Sequence, residues 1–252
     1  MMTPPADLGY IETEYRDAAQ AVTEAYEDRP DPPTVRNAPP GLLADSAERL
    51  MAALWMLERD PNAAPPTSTL PTESNDIQAL GHYGIQLMSD LAAWARALDL
   101  AAEHGRLQRV IFALAHWIVR RGGEIGHPDP VVDALAHVAN NIKAPSELER
   151  VFIAATDFME GMNPAISEDP DRSNPGRPWR ILVLNRAIIA TRSHQPHLME
   201  QAFKSLVELL PEDAAGFFTE GMEQMDALDY PAHIRAVMEK YYQLWCRPKT
   251  LH

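Results

Sequence analysis

Apolar residues recur at steps of three and four along most of the chain, which is the period of a helix with one buried face. Between residues 76 and 105 this pattern predicts a single long helix that ends near Gly105. A second helix is expected at 106–121, because Gly122 and Gly123 stop the pattern there. The apolar positions of the first of these helices are Ile77, Leu80, Gly84, Leu87, Leu91, Trp94, Leu98 and Ala101.

Helical signals continue to the end of the chain. Asp129-Pro130 predicts a helix start, with the aspartate as N-cap. Ser146 and Glu149 have the spacing of a capping box, in which each side chain accepts a hydrogen bond from the backbone amide of the other residue. The run RILVLN at 180–185 suits either a strand or a buried helix, and the absence of a second strand favours helix. Further helices are expected near 178–192, 197–210, 213–227 and 231–246.

The first 75 residues differ in composition from the rest. They hold 11 of the 22 prolines, and their 13 acidic and 5 basic residues contribute −8 of the net charge of −14. Two helices are predicted here, near 10–28 and 41–59, and the apolar face of the second indicates that it docks on another element. We therefore predict an acidic, Pro-rich N-terminal arm at 1–75 and a helical-repeat domain at 76–252.

All the predicted elements are helices, so the fold class is predicted as all-α. The short connections between these amphipathic helices make neighbouring helices antiparallel. Residues 90–121 resemble a tetratricopeptide-type hairpin, with Trp94 placed eleven residues before the turn glycine Gly105. The resemblance implies an α-solenoid of stacked helical hairpins, an architecture that binds other proteins along its surface. A helical bundle is the alternative architecture.

A basic stripe lies on the predicted helix 106–121, on the side opposite its apolar face. It consists of Arg106, Arg109, His116 and Arg120. Clustered cations on a chain of net charge −14 point to a site for an acidic peptide of a protein partner or for another carboxylate. Alternatively, the stripe pairs with acidic side chains of neighbouring helices or of the N-terminal arm. In that case the arm would lie across the stripe and compete with a partner.

No motif for catalysis or cofactor binding occurs in the sequence. It has no glycine-rich phosphate loop, no nucleophile elbow and no His-Glu-x-x-His zinc motif. The pair Glu124 and His127 is predicted in a loop, and His194 and His197 flank a helix start, so neither pair is expected to hold a metal. The lone cysteine, Cys246, is read as a small apolar residue. We expect no catalytic residue, cofactor or metal.

The net charge also narrows the partner class. A strongly negative chain repels nucleic-acid phosphates and anionic membrane surfaces, so neither is an expected partner. No run of residues is apolar enough to span a bilayer, and the first residues lack the features of a signal peptide. The expected compartment is the cytoplasm.

Two groups of aromatic residues near the C-terminus are expected to bridge core and surface. Phe217 and Phe218 are adjacent on one predicted helix, and Tyr241, Tyr242 and Trp245 lie together on the next. Adjacent helical residues point about 100° apart, so both members of a pair rarely face the same core. The outer member of each pair could anchor a partner helix or a second copy of the chain.

These observations favour a non-catalytic adaptor or assembly subunit that binds a protein partner through a stacked-helix surface. Two alternatives remain open: an all-α enzyme with a site of scattered His, Asp and Glu residues, and an acidic protein that mimics nucleic acid. A contiguous apolar groove would favour the adaptor, whereas titratable residues clustered in a deep pocket would favour the enzyme.

Overall fold

The computed structural model describes residues 1–60, 77–170 and 172–246, and these residues confirm the all-α prediction. They form eleven helices: α1 Leu8–Glu27, α2 Pro40–Arg59, α3 Ile77–Ala97, α4 Ala101–Val119, α5 Pro128–Asn141, α6 Pro145–Glu160, α7 Pro164–Ser167, α8 Pro178–Arg192, α9 Pro196–Leu209, α10 Pro211–Ala227 and α11 Ala232–Trp245. The ambiguous run at 180–185 is helical and lies in α8.

The described helices divide into two compact units. The N-terminal unit comprises Pro4–Asn140 and Glu160–Ser167, and so contains α1 to α5 and α7. The C-terminal unit comprises the described parts of Met1–Thr3, Asn141–Met159 and Glu168–His252, and is built from α6 and α8 to α11. The composition-based division after residue 75 falls inside the N-terminal unit, where α1 contacts α4 and α2 contacts α3.

The first helix is anchored although its sequence is only weakly apolar. Its N-cap Asp7 accepts a hydrogen bond from the Tyr10 amide at 2.9 Å. Its buried face then repeats at helical spacing, with Leu8, Ile11, Tyr15, Ala18, Ala19 and Val22 in the core. The Tyr15 hydroxyl donates to the carbonyl of Ala44 on α2 at 2.6 Å. Small side chains on this face allow close helix packing, which a hydrophobicity pattern alone understates.

The α3–α4 hairpin is the centre of the N-terminal unit, and its turn corrects the prediction of one long helix. The chain leaves α3 after Ala97 and re-enters a helix at Ala101, with Asp99 at a φ of 63° between them. A left-handed residue at this point ends a helix. The apolar repeat runs through the turn because Leu98 also packs inward, being only 2% exposed.

Gly105, predicted as the turn glycine, lies inside α4 instead. A side chain there would come within about 3.2 Å of the His137 ring on α5, so this glycine allows α4 and α5 to approach each other. The tetratricopeptide-like resemblance stays a prediction, but its turn is at 98–100.

Two predicted N-terminal caps differ from the structure. Helix α6 begins at Pro145, so Ser146 lies within the first turn and the predicted capping box is wrong. Its Glu147 accepts a hydrogen bond from the Thr3 amide instead, at 2.9 Å. Helix α5 begins at Pro128, which places Asp129 in the first turn rather than at the N-cap. Proline suits the first helical position because its missing N–H has no partner there in any case.

Buried aromatic rings organise the C-terminal unit. Phe203 of α9 has ring centroids of Phe217, Phe218 and Tyr241 within 5.2–5.7 Å. These rings join α9, α10 and α11, the last three helices of the chain. On the same unit Arg186 of α8 is buried over the Phe152 ring of α6, at 4.4 Å, and donates to the Thr156 hydroxyl at 2.8 Å.

Candidate functional site

The predicted basic stripe faces helix α1. Arg106 donates to Asp17 at 2.7 Å, and Arg109 donates to Glu14 at 3.1 Å. A second contact joins Arg106 to Glu14 at 3.8 Å. The pairing of the stripe with acidic residues of the first 75, weighed above as one alternative, therefore accounts for these two arginines.

The other two residues of the stripe have different surroundings. His116 is half-buried and its ring lies edge-on to Phe112 of the same helix, with centroids 6.3 Å apart. Arg120 is exposed at the C-cap of α4. The stripe thus supplies one exposed cation at its end rather than a continuous open cationic surface. A role in partner binding for Arg106, Arg109, His116 and Arg120 stays a prediction.

The two Glu/His and His/His pairs considered in the sequence each have separate partners in the structure. Asn163 donates to the Glu124 carboxylate at 2.8 Å, while the His127 ring packs edge-on to His82. His194 packs against Tyr230, and His197 is exposed at the start of α9. Across the part of the chain that the structure describes, three metal-binding side chains never come together.

The C-terminal unit contains an apolar groove. It has a volume of about 360 Å³ and lies between α8, α10, the turn that follows α10, and α11. One wall is a stripe of α10 at helical spacing, formed by Phe217, Glu220, Gly221, Gln224 and Met225, and continued by Leu228. The remaining lining residues are Ile188, Thr191, Arg192, Tyr230 and Met238.

The rim of the groove exposes large apolar side chains. Ile188 is 43% exposed on the α8 side, and Leu228 is 62% exposed beyond the end of α10. Its floor is made by Met225 and Met238, which are essentially buried. Methionine is flexible and polarisable, so a floor of two methionines adapts to side chains of different shapes.

Gly221 brings the two helices of the floor together. A Cβ at this position would lie 2.6 Å from the Met238 sulfur and 2.7 Å from its methyl carbon. The absence of a side chain therefore lets Met238 of α11 lie directly against α10. A larger residue would push Met238 into the groove and fill part of it.

The buried aromatic rings support the groove from below. Phe218 and Tyr241 are buried, whereas Phe217 is half-buried and lines the groove. The Tyr241 hydroxyl donates to the Glu200 carboxylate at 2.9 Å, and burial together with this carboxylate raises the pKa of Tyr241 to about 12. The phenol thus remains a neutral donor under physiological conditions. Of each aromatic pair, one member is in the core and the other is closer to solvent, as predicted from the helical geometry.

Arg192 and Tyr230 lie at one end of the groove. Arg192 donates to the carbonyl of Ile142 at 2.9 Å. Burial raises the pKa of the Tyr230 phenol, and the Arg192 guanidinium partly offsets this effect. Asp229, which precedes Tyr230, has a φ of 50° and reverses the chain between α10 and α11.

The sequence predicted that one member of the Phe217–Phe218 pair lies near the surface, but it did not indicate the groove. Its lining comes from helices that are separated by up to 50 positions, from Ile188 to Met238. Each helix shows only its own apolar pattern, and no pattern within one helix tells which apolar residues remain uncovered. The signal that the sequence did offer was the spacing of Phe217, Gly221, Met225 and Leu228, which places them on one face of the same helix.

Comparison with known proteins gives no further guide. No family model matches the chain, and neither the curated proteins nor the solved structures include a match to it. Among the described residues, no helix combines the length and the apolar character that crossing a membrane requires. The function must therefore be inferred from the chemistry of the surface.

Proposed function

We propose that this chain is a non-catalytic adaptor or assembly subunit that binds a protein partner in the groove between α8, α10 and α11. The observation that carries the proposal is the exposure of Ile188 and Leu228 on the rim of one concave apolar surface. Isolated exposed apolar residues are ordinary, but a concave set over a flexible floor is typical of binding surfaces.

The composition of the lining favours binding over catalysis. Among the eleven described residues of the groove, only Arg192 and Glu220 carry a charge, and Thr191 uses its hydroxyl on the Ala187 carbonyl at 2.9 Å. A catalytic groove needs a nucleophile or an acid–base pair within hydrogen-bonding reach of the substrate. The described lining supplies apolar contact area and few polar groups, which suits recognition of a side-chain surface.

We propose the cytoplasm as the location of this chain. A partner in that compartment would meet a chain with a formal net charge of −14. Such a charge favours encounter with basic surfaces, while the apolar groove supplies the affinity.

The test is capture of partners from the native host by the tagged full chain and by variants. Wild-type chain and the control Leu42→Asp should recover the same stoichiometric partner, because Leu42 is 60% exposed on α2 and lies outside the groove. Leu228→Asp and Ile188→Asp should lose that partner. Equal recovery by all four proteins, or the absence of any stoichiometric partner, would contradict the proposal.

A further inference from the structure

We infer that the occupant of the groove is a basic amphipathic helix of the partner, seated with its apolar stripe on α10 and with a Lys or Arg residue beside Glu220. This inference rests on the proposed function and names the chemistry of the partner. It follows from the shape of the groove, from the distribution of charge along α10 and from the interactions that the acidic residues of α10 already make.

The shape of the groove fits side chains projecting from a helix. The α10 wall presents lining residues at positions 217, 221, 225 and 228, steps of four, four and three, which is the ridge of one helix face. A second helix laid along this ridge would insert its own residues at positions i, i+3 or i+4, and i+7. Ile188 of α8 forms the opposite wall, so the slot accepts one ridge.

Helix α10 is strongly acidic. Between Pro211 and Ala227 it contains five acidic and no Lys or Arg residues. Three of the five are engaged within the C-terminal unit: Arg177 donates to Glu212 at 3.2 Å, Arg180 donates to Asp213, and Arg235 pairs with Asp226. These three pairs fasten α10 to its neighbours.

The two remaining acids, Glu220 and Glu223, are exposed, and no described residue forms an ion pair with either. They are three positions apart, so their Cβ atoms are about 5–6 Å from each other and the like charges repel. A cation bound between them would relieve this repulsion. Because Glu220 also lines the groove, the cation would sit directly beside the apolar stripe of the bound helix.

The two ends of the groove differ in charge. Glu220 and Leu228 are separated by about 12 Å along the axis of α10 at 1.5 Å per residue. Arg192 and Tyr230 lie at the Leu228 end, where the guanidinium acts on the phenol. The basic residue of the partner is therefore expected at the Glu220 end. A second copy of the chain is disfavoured as occupant, because two chains of net charge −14 repel each other.

The test uses a fluorescent two-heptad Leu/Lys model helix as the probe. The matched control peptide has the same length and leucine positions, with glutamate in place of every lysine. Fluorescence anisotropy with the full chain should show binding of the Leu/Lys helix and at least roughly tenfold weaker binding of the Leu/Glu helix. The double variant Glu220→Lys/Glu223→Lys should weaken binding of the Leu/Lys helix by about tenfold and reduce its sensitivity to salt. Glu208→Lys, at an exposed position of α9, is the matched control and should bind as wild type.

The outcomes separate this inference from the proposed function. If neither helix binds, if both bind equally, or if the charge reversal has no effect, the basic-helix inference is wrong. The groove would remain the docking surface if Leu228→Asp still loses the native partner. Self-association of the wild-type chain that Leu228→Asp abolishes would also overturn the inference, because it would place a second copy in the groove. Circular dichroism spectra that match the wild type confirm that the variants are folded.

Discussion

The basic stripe on α4 and the groove beside α10 differ in how visible they are in the sequence and in how exposed they are in the structure. The stripe is conspicuous in the sequence, and in the structure Arg106 and Arg109 are occupied by Glu14 and Asp17 of α1. The groove is inconspicuous in the sequence, and in the structure it leaves Ile188 and Leu228 exposed. In this chain two of the conspicuous cations pair within the N-terminal unit, whereas the uncovered apolar side chains form the surface that we propose binds a partner.

The two regions also differ in the free energy that a partner would have to supply in order to bind. Freeing the stripe for a partner would require displacing α1, whose buried face includes Ile11, Tyr15 and Val22. Each such side chain contributes about 1.5–3 kcal/mol through burial. The ion pairs to be gained are partly exposed and worth about 0–1 kcal/mol each. The groove is already exposed to solvent, so a partner can bind there without displacing a helix and without this loss of burial free energy.

The largest effect is expected from the aromatic core beneath the groove. Phe218→Ala should lower the free energy of unfolding by about 3–5 kcal/mol, because the fully buried ring contacts Phe203 and Tyr241. Urea titration followed by circular dichroism measures this loss. Phe217→Ala is the matched control, and its cost should be less than half as large because its ring is half-buried. An equal loss of stability in the two variants would show that Phe217 contributes to the core as much as Phe218 does.

Next in size is the effect of Leu228→Asp on partner affinity. The substitution places a carboxylate on the apolar rim and should weaken binding of the captured partner by at least about 2 kcal/mol, roughly thirtyfold. Stability should change by no more than about 0.5 kcal/mol, because the side chain is 62% exposed. Calorimetric titration against the partner and urea titration give the two values. A large loss of stability would instead make Leu228 a structural residue.

Removal of the charge that holds the stripe should have a smaller effect. Glu14→Gln breaks contacts to both Arg106 and Arg109 and should cost about 0.5–1 kcal/mol of stability, since its side chain and that of Arg109 are each only about one-quarter exposed. Asp17→Asn should cost less, because its side chain is 59% exposed. Urea titrations of both variants measure the difference.

Neither stripe variant should alter partner affinity if the groove is the docking surface. Stronger partner binding by Glu14→Gln would revive the competition between α1 and a partner for the arginines. The affinity measurement thereby decides between the two regions independently of the stability data.

The smallest effect is expected from pH in the N-terminal unit. Burial, and to a lesser extent His104 and Arg109, lower the pKa of His137 below 6.5. The folded state therefore binds this proton less tightly than the unfolded chain does. The resulting stability is complete above pH 6.5 and declines as the pH falls through 6.5 towards the lowered pKa.

Thermal melts between neutral and mildly acidic pH measure this decline. His137→Asn should remove the His137 part of the slope, whereas the control His233→Asn, at an exposed position of α11, should leave it intact. A slope that is unchanged in His137→Asn would assign the pH dependence to other groups.

The sequence predicted the helical class and most helices, because their apolar faces repeat at helical spacing over three or more turns. It failed at the α3–α4 turn, where Leu98 continues the apolar repeat although Asp99 has already left the helix. It also failed at the start of α6, where Pro145 begins the helix before the expected cap. Apolar spacing therefore locates the buried face of a helix more reliably than it locates the residues at which the helix begins and ends.

The candidate site was less accessible to prediction. That one of Phe217 and Phe218 lies closer to solvent follows from the angle between adjacent helical residues. That Ile188 of α8 faces the same space as Met225 and Met238 depends on how three helices pack. No spacing within one helix carries that information, whereas the basic stripe is visible in the spacing of a single helix.

Hydroxyl-radical footprinting of the full chain with and without its captured partner shows where the partner binds, because it reports the exposure of individual side chains. The partner should protect Phe217, Leu228 and Tyr230 from oxidation, while the reactivity of His116 stays unchanged. Protection of His116 with undiminished oxidation of Leu228 would contradict this prediction.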